Sequence, residues 1–178
     1  MKIDPTELCK LLRYDPETGK LFWLPRSACT FQSERASKIW STRFEGVEAG
    51  AVSNFGYRRV WVDGRHHVAH RIVWAMVYGV WPENEIDHVN GHRADNRLAN
   101  LRSVTRSQNM QNRKLSAKNT SGQTGVFWFK PASLWTASIH VGGRKRSLGY
   151  FRNFDAAVSA RKAAEVEHDY HPNHGRNA

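Results

Sequence analysis

The sequence predicts an α+β protein in two parts, built from short antiparallel hairpins and helices. Three observations carry this. β-type runs flank Asp63-Gly64, and others flank Gly142-Gly143; both dipeptides tolerate the positive φ of tight hairpin turns. The apolar run "RIVWAMVYGV" and the Ala-rich run "FDAAVSARKAAEVEH" read as helices. Between them, "LSAKNTSGQT" (residues 115–124) is almost devoid of apolar residues and reads as a linker. At 178 residues the chain suits one ordinary domain or two small ones. The divisions predicted are an N-terminal cap over 1–50, a central domain over 51–114, the linker, and a C-terminal module with its tail over 125–178.

The elements follow in order. "PTELCKLLRYDPETGKLFWLPR" reads as a short helix, a turn at 16–19 and a short strand through 21–24. Residues 57–62 and 65–70 form the arms of the Asp63-Gly64 hairpin. The helix "RIVWAMVYGV" is buried and ends at Gly79 and Pro82. "NEIDHV" is a strand, "NGHRADNR" a loop and "NLRSV" a second strand. "TRSQNMQNRK" starts a helix with Thr105 as its N-cap. Beyond the linker, "GVFWF", "LWTASIHV" and "RKRSLGYF" make three strands. A helix capped by Asn153 follows, and the tail "DYHPNHGRNA" reads as frayed.

Charge narrows the class of partner. Lys and Arg number 27 against 16 Asp and Glu, a formal charge of +11. Such a balance favours a polyanion. Residues 1–113 carry 17 positive and 12 negative side chains, and residues 114–178 carry 10 and 4, so a long partner touching both parts is expected. Cys9 and Cys29 are the only cysteines, which excludes a four-cysteine zinc knuckle. No signal-like start or membrane-length apolar run is present, and a reduced cytosolic setting is expected.

The sharpest pattern lies in "IDHVNGHRADNRLANLRSVTRSQNMQNR". Phosphodiester hydrolysis needs a deprotonated water, neutralisation of the transition state and a stabilised leaving oxygen. A neutral His serves the first need and one hard divalent cation the other two. Mg²⁺ keeps several waters, so two side-chain oxygens suffice to hold it. Asp87 and Asn109 offer those oxygens. His88 offers the base, and Asn100 can pin the loop that carries it and hold its ring. As neighbours on a strand, Asp87 and His88 point to opposite faces unless the chain bends. His66, His67, His70, His88 and His92 are numerous, but no Cys joins them and no structural zinc is expected; His70 is read as packing locally.

At "AHRIVW", "IDHVNGHRADNRLANLRSVT" and Asn109 the chain resembles the HNH, or ββα-metal, endonucleases, specifically the phage-type enzymes that include intron-encoded homing endonucleases. The resemblance covers about residues 56–113. It implies His88 as general base, Asn100 as the residue orienting it, and Asp87 with Asn109 as metal ligands for Mg²⁺ or Mn²⁺. Candidate phosphate contacts around this site are Arg97, Arg102, Arg106, Arg113 and Lys114.

The C-terminal module is similar to the AP2 DNA-binding domain at Gly125-Val126, Trp135, Ala137, Ile139, Leu148-Gly149, Phe151, Ala156, Ala157 and Ala160. Alternation turns Val126, Trp128, Trp135, Ala137 and Ile139 towards the helix, and Phe127, Phe129, Thr136, Ser138, His140, Lys145 and Ser147 outwards. The AP2 sheet face in plant proteins is rich in Arg and Trp, and this one is not, so base specificity does not carry over. DNA contacts are expected from Lys130, Ser138, His140, Arg144, Lys145 and Arg146.

Together these readings predict a metal-dependent DNA endonuclease of the homing type. A ββα-metal core follows the N-terminal cap, and an AP2-like module aids binding to double-stranded DNA. The chain is expected to act as a monomer nicking one strand, of bacteriophage origin, in the cytoplasm of the host bacterium, with no membrane partner. The alternative is a non-catalytic, sequence-specific DNA-binding protein. An RNA-directed protein is a third class.

Overall fold

In the computed structural model the described residues are 3–112, 115–116, 118–172 and 174–175. The chain divides into two compact units, Met1–Val104 and Thr105–Ala178. Among the described residues no helix is long and apolar enough to cross a membrane.

The first unit opens with helix α1 (Pro5–Leu11), capped by Asp4, whose carboxylate accepts from Thr6 N at 2.8 Å. A hairpin follows, β1 (Leu12–Asp15) and β2 (Lys20–Trp23), then helix α2 (Glu34–Phe44). Strands β3 (Ala51–Val52), β4 (Arg58–Val62) and β5 (Arg65–Val68) form an antiparallel sheet in that order. The β4–β5 turn places Asp63 at φ 51° and Gly64 at φ 71°, as the Asp-Gly dipeptide predicts. Helix α3 (Ala69–Tyr78) stops at Gly79, whose φ of 71° is the left-handed cap. Strands β6 (Glu85–His88) and β7 (Leu101–Val104) then pair antiparallel.

One core holds these pieces together. Leu8, Leu12 and Leu21 of the N-terminal elements pack with Val60, Val62, Ile72 and Val73, and with Ile86 and Leu101 of the β6–β7 pair. Leu8, Leu12, Leu21, Trp23 and Ala49 are thus part of this core, and α2 is an element the sequence reading did not separate. Arg71 ties α3 to the approach to β6, donating to the carbonyls of Pro82 at 2.6 Å and Asn84 at 3.1 Å.

The second unit begins with helix α4 (Arg106–Gln111), where Thr105 and Gln108 form a reciprocal capping box. Strands β8 (Val126–Phe129), β9 (Leu134–Val141) and β10 (Arg144–Phe151) make an antiparallel sheet with β9 in the middle, and helix α5 (Phe154–Glu167) packs on one face. The polar segment read as a linker is hydrogen-bonded where it is described. Ser121 Oγ donates to the Val126 carbonyl at 2.6 Å, and Asn119 Nδ2 to the Gln123 carbonyl at 3.1 Å. Its Ser and Asn residues act as turn formers, the other structure such composition encodes.

The described residues of the tail read as frayed make hydrogen bonds, one of them beside a buried cation. Arg161, 2% exposed, donates to the Ser138 carbonyl at 2.5 Å and to Glu165 at 2.8 Å. His174 lies 3.2 Å from its Nη2 and 2.6 Å from the Gln111 carbonyl, and Tyr170 donates to the His140 carbonyl at 2.6 Å.

Candidate active site

Asp87 stands opposite Arg102 in the β6–β7 ladder, and His88 opposite Leu101. Successive strand residues face opposite ways, and the two side chains serve different surroundings. Asp87 is 8% exposed and accepts on Oδ2 from Nε and Nη2 of Arg102, at 3.0 and 2.8 Å. His88 is 3% exposed and belongs to a ring cluster, with His70 at 5.0 Å and Tyr57 at 6.0 Å between centroids. Arg93 lies over Tyr57 at 4.9 Å and donates to the Phe55 carbonyl at 2.8 Å.

The loop from His88 to Asn100 closes on itself. Asn100 Oδ1 accepts from Asn90 N at 2.9 Å, its Nδ2 donates to the Asp95 carbonyl at 2.8 Å, and its own carbonyl accepts from Val89 N at 2.9 Å. Asn100 therefore pins the loop, as its chemistry suggested. The hydrogen bond to the imidazole comes from another residue, Asn96, whose Oδ1 lies 3.1 Å from His88 Nε2. Asn100 spends its amide on backbone groups, which is why the ring-holding part of its expected role falls to Asn96.

Asn96 fixes more than position. Its Nδ2 donates to the Ala94 carbonyl at 3.2 Å, so its Oδ1 is the atom that faces the ring. An amide oxygen only accepts, so this contact favours the tautomer with the proton on Nε2. Burial pushes His88 below its ordinary value of 6.5, with the Asn96 bond and the charges of Asp87 and Asp95 opposing. The ring is neutral at pH 7. His70, also buried, is pushed down to about 3, by burial first and then by His88 and Arg71.

The N-terminal hairpin braces this loop. The Tyr14 hydroxyl donates to the Asn96 carbonyl at 3.1 Å and accepts from Leu98 N at 3.0 Å. Gly19, at φ +73°, sits where an added Cβ would lie 2.4 Å from Arg97 N. The turn after β1 needs Gly for its φ and for this approach.

Among the described residues no group of three or more His, Cys, Asp or Glu side chains is arranged to hold a metal ion. A carboxylate such as that of Asp87 and an amide oxygen such as that of Asn109 are each donors of the kind a hard cation takes. Asn109 stands on α4, in the second unit.

Residues 67–111 match the HNH endonuclease family. The chain is similar to Protein 3.8 of Escherichia phage T7, at 30% identity over 93 residues, covering 52% of this chain and 74% of that protein. It is also similar to the Uncharacterized HNH endonuclease L247 of Acanthamoeba polyphaga mimivirus. There the identity is 32% over 109 residues, covering 46% of this chain and 27% of that protein. The chain carries an HNH endonuclease family domain. No solved structure matches it.

The HNH match runs from β5 to α4 and includes Asp87, His88, Asn100 and Asn109. The HNH family is one of nucleases, and DNA is the substrate it implies. Of the Arg residues expected on phosphate, Arg102 is engaged with Asp87, and Arg97 pairs with Asp95 at 2.7 Å. Arg106 is exposed on α4, while Arg113 and Lys114 lie outside the described residues. In the second unit Lys130, His140, Arg144, Lys145 and Arg146 are exposed. Ser138 corrects an expectation. It is 7% exposed on the middle strand and its hydroxyl donates to the Gly125 carbonyl at 3.5 Å, so it does not reach out to a ligand. A short side chain flanked by two strands is shielded by its neighbours. Asn96, Tyr14 and Tyr57 were missed because nothing in an Asn-rich loop or a distant hairpin singles them out.

Proposed function

We propose that the chain is a divalent-metal-dependent endonuclease that hydrolyses phosphodiester bonds in double-stranded DNA and nicks one strand per event. The observation that carries this is the His88 imidazole, buried and held by Asn96 on the strand that also carries Asp87. A buried, neutral and oriented imidazole is what a general base at neutral pH requires.

The remaining residues take roles around that base. Asp87 and Asn109 would hold Mg²⁺ or Mn²⁺, which supplies charge neutralisation at the transition state and at the leaving oxygen. Arg102 orients the Asp87 carboxylate through its two donors. Asn100 holds the loop and Asn96 the ring. The C-terminal sheet and helix, similar to the AP2 domain, add affinity by holding the chain on DNA, with Lys130, Arg144, Lys145 and Arg146 on phosphates. A homing-type role, in a phage-infected bacterial cell and as a monomer, completes the proposal.

The test is supercoiled plasmid incubated with Mg²⁺ or with EDTA. Open circles appearing with Mg²⁺ alone, with 3′-hydroxyl and 5′-phosphate ends, support the reading. Linear product at the earliest times contradicts single-strand nicking by a monomer. DNA bound but uncut across many substrates supports a non-catalytic DNA-binding protein instead.

A further inference from the structure

The face of the C-terminal sheet opposite α5 is aromatic with a cationic rim. Register lines up Phe127, Thr136 and Tyr150 in one row across the three strands. Thr136, in the middle, is 6% exposed and forms the floor, while Phe127 and Tyr150 on either side are 41% and 58% exposed. Phe129, two residues along β8 on the same face, is half-buried with its ring 5.7 Å from that of Tyr150. Lys145 Nζ lies 5.1 Å from the centre of the Phe127 ring. Arg144 and Arg146 flank that lysine and are exposed.

Large rings grouped on the solvent face of a small sheet mark a binding surface, and their chemistry selects the occupant. Phe offers no donor or acceptor for the base edges that a duplex presents in its grooves. It offers a flat face, which matches the face of an unpaired base. Duplex bases have both faces covered by stacking. The rim supplies cations for the phosphates between the bases, and residues 114–178 carry 10 positive against 4 negative side chains. We infer that this face binds single-stranded DNA, stacking unpaired bases on Phe127, Tyr150 and Phe129, with Lys145, Arg144 and Arg146 on the backbone. This departs from the duplex-binding role expected of the AP2-like module, goes beyond DNA cleavage and does not depend on it.

The experiment uses the full chain carrying His88→Ala, in EDTA, so that cutting does not enter. Fluorescence anisotropy compares a labelled mixed-sequence DNA strand, its duplex and the matching RNA strand. The single DNA strand is expected to bind more tightly than the other two. Phe127→Ala and Tyr150→Ala each weaken its binding roughly 5- to 100-fold, the range for loss of one stacked base, with duplex affinity nearly unchanged. Tyr150→Phe retains binding. A duplex or RNA preference, or alanine variants that alter all ligands equally or none, would overturn the inference. Ultraviolet crosslinking of the His88→Ala chain to strands containing 5-iodouracil reads the contact without altering the sheet. Crosslinks at Phe127 or Tyr150 are expected, and crosslinks confined to other segments contradict it.

Discussion

Asn96 Oδ1 lies 3.1 Å from His88 Nε2, and the same side chain donates from Nδ2 to the Ala94 carbonyl. This contact favours the tautomer with the proton on Nε2. Asn96→Ala leaves the buried ring N–H without this acceptor, a loss of about 1–3 kcal/mol. The expected result is a fall in kcat of roughly 5- to 150-fold, by the same range, with KM little changed. Nitrogen NMR of the labelled ring is expected to show the Nε2–H tautomer in the parent chain and a mixture in the variant. A single unchanged tautomer contradicts the assignment.

Tyr14 joins the N-terminal hairpin to the loop through two hydrogen bonds, to the Asn96 carbonyl and from Leu98 N. Tyr14→Phe removes both and is expected to lower stability by about 1–2 kcal/mol and to reduce activity. Gly19→Ala acts through the same loop. Its Cβ would press on the Arg97 amide and its φ would be strained. Denaturant midpoints and cleavage rates, measured on both variants, are expected to fall together.

His70 makes the first unit acid-sensitive. Its folded value of about 3 lies below its ordinary value of 6.5. The unfolded chain therefore binds the proton first, and stability falls as pH drops below about 6.5, towards about 3. The slope contributed approaches about 1.4 kcal/mol per pH unit for one proton. His70→Gln is expected to flatten the dependence of unfolding free energy on pH in this window. An unchanged slope contradicts the assignment to His70.

Arg161 is the buried hub of the second unit, reaching the Ser138 carbonyl, Glu165 and His174. Arg161→Ala leaves Glu165 and a strand carbonyl without this cation, a loss of about 3–5 kcal/mol for a buried pair. Hydrogen exchange is expected to accelerate through β8, β9, β10 and α5, while β4 and α3 keep their protection.

Local chemistry made much of this architecture legible. The Asp63-Gly64 hairpin, the Gly79 stop of α3, the Thr105 cap of α4 and the Asn153 cap of α5 each depend on one or two residues with a special backbone or side-chain requirement. Alternation turned Phe127 and Phe129 outwards on the C-terminal sheet but missed Tyr150, which a register shift after Ser147 brings into the row of Phe127 and Thr136. Long-range partnerships were not legible. Tyr14 meets Asn96 and Leu98 across more than eighty positions of sequence, and Arg102 meets Asp87 only through strand register. The polar segment after α4 shows a further limit, since Ser, Asn and Gly encode ordered turns and linkers alike.

The most direct test of the central claim is single-turnover cleavage of supercoiled plasmid by the parent chain and by His88→Ala, at matched folding and matched DNA binding. The prediction is open circles from the parent chain in Mg²⁺ and a rate lower by about 100-fold or more in the variant, the scale of general-base catalysis. Equal rates from the two chains would contradict the assignment of His88 as the base and with it the proposed mechanism.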